Sequence, residues 1–190
     1  MFFKMEQDNI LPQQGSIFTW LGKLFKERMV TPILVGGYAV LAYKVERSTF
    51  DIDFMLTIEQ WSKIENDMLA AGYSYINKSD SFIQLKNKQQ QLRDLDFILC
   101  DNNTFVKILK DSKTTTIAGS NFLLASPLHL IAMKLHAISQ NPQREFKDFN
   151  DIIQLIVINK IDIRNKDIEK LFSRYSSDLY QKLLTQTVKL

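Results

Sequence analysis

Asp51 and Asp53 are the residues of this chain with the clearest capacity for chemistry. They stand two apart in Phe50-Asp51-Ile52-Asp53-Phe54-Met55-Leu56, a stretch whose alternation predicts a β-strand. A strand repeats every two residues, so both carboxylates fall on one face, with Ile52 and Phe54 on the other. Two carboxylates side by side repel each other unless a hard divalent cation sits between them. Magnesium or manganese suits such a pair, filling its remaining positions with water and phosphate oxygens. Gly36-Gly37 lies upstream, between an apolar run and a helical pattern. Without Cβ atoms the backbone there can approach a phosphate closely, and N–H groups at a helix start can hold its oxygens. Arg47 can add a charge-assisted bond to the same phosphates, with Thr49 beside it. The alternative for Arg47 is a structural pair with Glu46 or Asp51. A third carboxylate completes a two-metal site. Asp96, in Arg93-Asp94-Leu95-Asp96-Phe97-Ile98-Leu99, leads into a buried run and is the first choice, and Asp94 is the fallback. In that arrangement Asp51, Asp53 and Asp96 are the metal ligands, and Asp96 serves the attacking hydroxyl as ligand or base.

The elements that must position these residues read as follows. Residues 15–29 have helical spacing, with Phe18, Leu21, Leu24 and Phe25 apolar. Ile33 to Val35 is a short buried strand, and residues 38–44 form a helix directly after the glycines. Thr57 caps a helix that runs to Ala71, with Trp61, Ile64, Met68 and Leu69 inward and Gly72 at its end. Strands follow at 73–76, 82–85 and 92–100, the last two joined by the polar run at 86–91 as a hairpin. Residues 105–109 and 121–124 are expected to be short strands or edges. Ser126-Pro127 starts the first of three helices, at 127–140, 144–158 and 165–187. This predicts an α/β (α+β) fold: a mixed sheet flanked by helices over residues 1–125, then a helical segment over 126–190 packed on it.

Composition narrows the class. The chain has 190 residues, 45% hydrophobic and 24% charged, which excludes whole-chain disorder, collagen and coiled coil. Its longest apolar stretch, Ile33 to Tyr43, is too short for a bilayer span of about 20 residues. The first residues lack the apolar core of a signal peptide. A single cysteine, Cys100, forms no internal disulfide and points to the cytoplasm. The net charge of +3 is carried by the last 31 residues, which hold seven basic and four acidic side chains. A solvated helical surface is the simpler reading of that tail, and a polyanion contact the alternative. His129 and His136, two helical turns apart, read as structural. Cys100 and most aromatics read as core, and Tyr38 as packing with a possible base-stacking role.

The ordered set of Gly36-Gly37, thirteen further residues, Asp51-Ile52-Asp53 and a later Asp strand resembles the DNA polymerase β-like nucleotidyltransferase superfamily. The form LVGGYAVLAYKVERSTFDIDF is most similar to its minimal bacterial members, the abortive-infection toxins and the antibiotic nucleotidyltransferases. Residues 126–152 resemble the family's later helical segment at Lys134, Arg144, Lys147, Asp148 and Asp151. Many members carry Ser where Gly37 stands, so backbone N–H groups must replace its hydroxyl here. The resemblance covers about residues 30–155. It implies a magnesium-dependent enzyme that moves a nucleoside monophosphate from a nucleoside triphosphate, ATP among them, to an acceptor hydroxyl. Lys134 joins the nucleotide-binding set on this ground; its alternative is a snorkelling helix lysine. Lys147 and Asp148 read as an interhelical polar network. The acceptor expected is RNA or protein, in a toxin-like role with a possible antitoxin partner. The alternatives are a small antibiotic-like molecule, or nucleotide binding without catalysis.

Overall fold

A computed structural model describes residues 17–87 and 92–187. The chain opens with α1 (Ile17–Glu27), then β1 (Ile33–Val35), α2 (Gly36–Ala42), β2 (Ile52–Thr57) and α3 (Ile58–Ala70). Next come β3 (Tyr73–Lys78), β4 (Phe82–Asn87), β5 (Leu95–Cys100), α4 (Asn102–Lys110), β6 (Lys113–Ile117) and β7 (Ser120–Leu124). The remainder is helical: α5 (Pro127–Gln140), a 3-10 turn (Pro142–Arg144), α6 (Glu145–Ile158), α7 (Lys166–Tyr175) and α8 (Ser177–Thr187). The strands form one mixed seven-stranded sheet in the order β3-β4-β5-β2-β1-β7-β6.

The centre of the sheet is where the predicted site strands meet. β2 and β5 run parallel, with Asp53 opposite Asp96 and Phe54 opposite Phe97. β1 lies antiparallel on the other side of β2, with Val35 opposite Asp53. Parallel register puts opposed residues on the same face, so the aromatic pair and the carboxylate pair lie on opposite faces. Phe54 and Phe97 stack at 6.1 Å, and Phe25 of α1 meets Phe54 edge-on at 5.2 Å. Trp61 of α3 packs on Phe97 at 5.0 Å. One apolar cluster continues from here through α5 and α6 to Leu183 of α8.

Local chemistry sets the helix starts. The Gln60 N–H donates to the Thr57 hydroxyl at 3.4 Å, and the His129 N–H to Ser126 at 3.3 Å, so both expected caps form. Gly72, at φ +87°, ends α3 as expected. Leu69 departs from the expected inward face and is 41% exposed.

Four other expectations change. The stretch 105–109 is helix, not strand. Asp101 caps it by accepting from the Thr104 N–H at 2.9 Å, and Phe105 and Ile108 bury one helical face. Residues 113–117, read as no element, form edge strand β6, paired with β7 through Ala118 and Gly119 at φ +48° and +77°. The helix over 165–187 is two helices: Ser176 is extended at φ −167°, and its hydroxyl accepts the Leu179 N–H at 3.3 Å. α2 begins on the glycines rather than after them. β4 and β5 pair antiparallel, as a hairpin requires. Residues 88–91 of that connection lie outside the described residues, as do the ends of the chain at 1–16 and 188–190, including Lys189 of the basic tail. Among the described residues, no helix is long and apolar enough to cross a membrane.

Candidate active site

Gly36 joins β1 to α2 without an intervening loop, at φ +61°, a conformation that L side chains rarely adopt. A Cβ there would overlap the Asp53 carboxylate, which lies across the strand pair. The next residue fixes that carboxylate, because the Gly37 N–H donates to Asp53 Oδ2 at 3.2 Å. Gly37 is also pressed from outside: a Cβ on it would overlap the Thr49 hydroxyl and lie 3.3 Å from Arg47 Nη2. The glycine pair, Thr49, Arg47 and Asp53 therefore form one contact group.

Asp96 is 8% exposed, and its Oδ1 is buried with no hydrogen-bond partner. Burial pushes its carboxyl up to about 7, the charges of Asp53 and Asp51 push the same way, and a hydrogen bond from Gln84 opposes them. Burial likewise raises Asp53 to about 6, against the pull of the Gly37 N–H and of the Lys134 and Arg47 charges. Asp51, one residue before β2, is exposed but adds to the field on both. Asp94 precedes β5 and is only half-buried; its carbonyl accepts the Ile52 N–H at 3.0 Å.

The cations nearest the site, Arg47 and Lys134, are largely buried too. Arg47 pairs with neither Glu46 nor Asp51 but with Asp151 of α6, through Nη1. Lys134 Nζ lies 2.6 Å from Asp151 Oδ2 and 2.9 Å from Asp148 Oδ1. Arg144 Nε closes the chain on Asp148 Oδ2 at 2.8 Å. Burial alone would raise the Asp148 carboxyl, but Lys134 and Arg144 outweigh it and hold it low. Asp148 thus takes part in the expected interhelical network, whereas Lys147 is exposed.

Three contacts were not expected from the sequence. Arg93 Nη1 donates to the carbonyls of Thr49 and Phe50 at 3.2 and 3.3 Å, and its guanidinium lies 5.4 Å from the centre of the Tyr38 ring. It ties the loop before β2 to α2. Gln84 faces Asp96 across β4–β5. Asp151 serves Arg47 from 104 residues away. Arg93 had a positional signal in adjoining the Asp94–Asp96 stretch, and Asp151 was marked by the resemblance, though without its partner Arg47. His129 Nδ1 lies 3.0 Å from the Ser126 hydroxyl, and exposed His136 meets Tyr175 edge-on at 6.0 Å. Tyr38 packs edge-on against Phe18 at 5.0 Å. Cys100 is half-buried on β5.

Among the described residues, no three His, Cys, Asp or Glu side chains are gathered as a ready-made metal cage. The donor chemistry still fits a hard divalent cation. Two all-oxygen ligands sit in register, one of them with an unused buried oxygen, and magnesium needs only one or two carboxylates.

A mixed seven-stranded sheet with eight α-helices among the described residues, and with Gly-Gly and two register-paired aspartates at its centre, is an α+β nucleotidyltransferase-like fold. The chain belongs to the family described as nucleotidyl transferase of unknown function (DUF2204), whose model matches residues 15–186. It is a nucleotidyltransferase. Among solved structures, the antibiotic-resistance factor ANT(2'')-Ia is similar at 15% identity and a TM-score of 0.60, over 92% of this chain and 100% of its own. The lincosamide antibiotic adenylyltransferase LnuA, bound to lincomycin, is similar at 19% identity and 0.55, over 74% and 94%. An antigenic nucleotidyltransferase-like protein from Paracoccidioides brasiliensis is similar at 16% identity and 0.54, over 91% and 86%. No curated protein sequence matches the chain.

Proposed function

We propose that this nucleotidyltransferase moves a nucleoside monophosphate, with ATP as the first donor to test, onto an acceptor hydroxyl and releases pyrophosphate. The observation that carries the reading is the Asp53–Asp96 pair, in register on parallel strands, with a buried Asp96 oxygen lacking any partner. Asp51, Asp53 and Asp96 would hold magnesium or manganese. The cation would supply the charge that offsets the phosphate oxygens and eases ionisation of the hydroxyl. Gly36, Gly37, Thr49, Arg47 and Lys134 line the donor side. The acceptor oxygen forms a bond to the α-phosphorus as the bond from that phosphorus to the bridging oxygen breaks. The hydroxyl proton passes to Asp96 or to solvent beside it, the carboxylate being ionised once the cation is held.

Two acceptor readings have separate support. A small hydroxyl-bearing molecule is favoured by two structural neighbours, one described as bound to lincomycin and one in complex with adenylyl-2"-tobramycin. A macromolecule is favoured by the exposed basic residues of the C-terminal helices, among them Lys166, Lys170 and Arg174. The toxin-like role, with an antitoxin partner in the cytoplasm, rests on the sequence resemblance alone.

The test supplies each of four α-labelled nucleoside triphosphates with Mg2+ and cell extract split into RNA, protein and small-molecule fractions. Label in one fraction, absent with an Asp51→Asn/Asp53→Asn control, names donor and acceptor class together. Label that persists in the control rejects the site.

A further inference from the structure

Arg47 is held in an unusual way. Its side chain is only 10% exposed, yet its Nε is buried without a partner. Its Nη1 reaches Asp151 Oδ2, and that same oxygen also receives Lys134 Nζ. Lys134 has a second partner in Asp148, and Asp148 has a second cation in Arg144. The cluster therefore joins three cations to two carboxylates and keeps one positive charge in excess. Arg47 is only partly neutralised by Asp151, because the oxygen it reaches is shared with Lys134. A buried guanidinium with an unused donor is costly unless an anion completes it. The guanidinium faces the site, since Nη2 lies 3.3 Å from the position a Cβ would take on Gly37. Its charge is also felt at Asp53.

We propose that Asp151 is the positioning residue of the donor site. It holds the Arg47 guanidinium beside Gly37, with an unspent donor and surplus charge directed at the phosphates of the incoming nucleoside triphosphate. This rests on the nucleotide-transfer reading and adds a specific division of labour to it. Arg47 contacts phosphate, and Asp151 acts chiefly through Arg47, because Lys134 keeps a second carboxylate in Asp148 when Asp151 is removed. Without the carboxylate, Arg47 and Lys134 would be two buried cations at one place with no shared counter-ion. Arg47 would then leave for water, and binding would have to order a long side chain again. The inference also explains why α6, remote in sequence, reaches the centre of the site. Its carboxylate substitutes for anchoring that the exposed loop before β2 cannot supply.

The test is a two-residue cycle read by calorimetric binding with Mg2+ of the α,β-methylene analogue, out of those of the four nucleoside triphosphates, that the parent chain binds most tightly, alongside KM and kcat. Asp151→Asn is expected to weaken binding about tenfold and raise KM in step, with kcat changed less than threefold. In an Arg47→Gln background the same substitution is expected to change binding less than twofold, because the side chain it acts through is gone. A purely structural Asp151 would instead lower Tm and weaken binding equally in both backgrounds, and that result overturns the proposal. So does undiminished binding by Asp151→Asn in the parent chain. Asp151→Glu keeps the charge but displaces the oxygen, and covers the case in which the Asn variant does not fold. A threefold or greater loss supports the proposal, and an unchanged Kd overturns it. A parent protein that binds none of the four analogues overturns the nucleotide reading itself, and this inference with it.

Discussion

At the scale of single residues, Asp96 carries a conflict between stability and chemistry. Its carboxyl titrates near 7 in the fold but near 3.8 in the unfolded chain. The folded state therefore binds the proton more tightly, so stability falls as pH rises from about 4 through about 7. Above that range the fold holds a buried carboxylate with an orphaned oxygen. Asp96→Asn removes the charge while keeping the shape. It is expected to stabilise the cation-free protein at pH 8 by roughly 1–3 kcal/mol, a rise of several degrees in Tm, and to change little at pH 4. Mg2+ is expected to raise the Tm of the parent protein at pH 8 and not at pH 5, since the ligand oxygens must be ionised to bind it. The same Asn variant should lose turnover on the order of a hundredfold or more, whereas Asp94→Asn should keep most of it. Calorimetric scans at three pH values and a turnover assay check all of this. A destabilised but active Asp96→Asn, or an inactive Asp94→Asn, would reverse the assignment. The strand that carries Asp96 was legible because an apolar run marked it, and the structure sets Asp96 opposite Asp53. The raised titration was not, since it depends on Asp53 arriving from another strand.

At the scale of elements, the junction of β1 and α2 is the stiffest requirement on the sequence. Gly36 combines a left-handed backbone with a carboxylate where its Cβ would be. Gly36→Ala should therefore cost stability twice, through φ and through displacement of Asp53, together about 2 kcal/mol or more. It should also remove activity, because Asp53 would leave its register with Asp96. Gly119→Ala is the comparison: it too has positive φ, +77°, but a Cβ there meets nothing within 4 Å. It should lower Tm by a smaller amount and spare turnover. Equal losses of activity in both variants would reduce Gly36 to an ordinary turn. This junction was readable from Gly36-Gly37 and the spacing to Asp51 because strand and turn are local. Helix α4 and strand β6 were not. Phe105-Val106-Lys107-Ile108-Leu109 fits either period over so few residues, and the Asp101 cap decided it. Lys113-Thr114-Thr115-Thr116-Ile117 gains its strand only by pairing with β7, and propensity alone gave too weak a signal. The Arg47–Asp151 pair was beyond reach for the same reason, since α6 must pack against the loop before β2 before those residues meet.

At the scale of the whole molecule, the boundary expected at residues 125 and 126 is crossed by hydrogen bonds, ion pairs and one apolar cluster. The Ala125 N–H donates to the Leu34 carbonyl of central strand β1 at 3.2 Å, and its own carbonyl accepts the Tyr43 hydroxyl at 2.9 Å. Beyond it, α5 buries Leu130, Ile131, Leu135 and Ile138, and α6 buries Phe149, Ile152, Leu155 and Ile156. These belong to the same apolar cluster as the sheet. The ion network crosses the boundary as well, joining Arg47 to Lys134, Asp148 and Asp151. A chain ending at residue 125 would expose that apolar surface and leave Arg47 without its carboxylate. We therefore expect the full chain to melt in a single transition, with calorimetric and van't Hoff enthalpies equal within error. A fragment of residues 1–125 should show neither a cooperative transition nor nucleotide binding. Two resolved transitions, or a folded fragment, would mean that the helical segment is a separate unit, and that the donor site can form without α6. One transition would tie the stability of the C-terminal helices to the same network that positions Arg47, so that substitutions deep in α6 should alter donor affinity and Tm together.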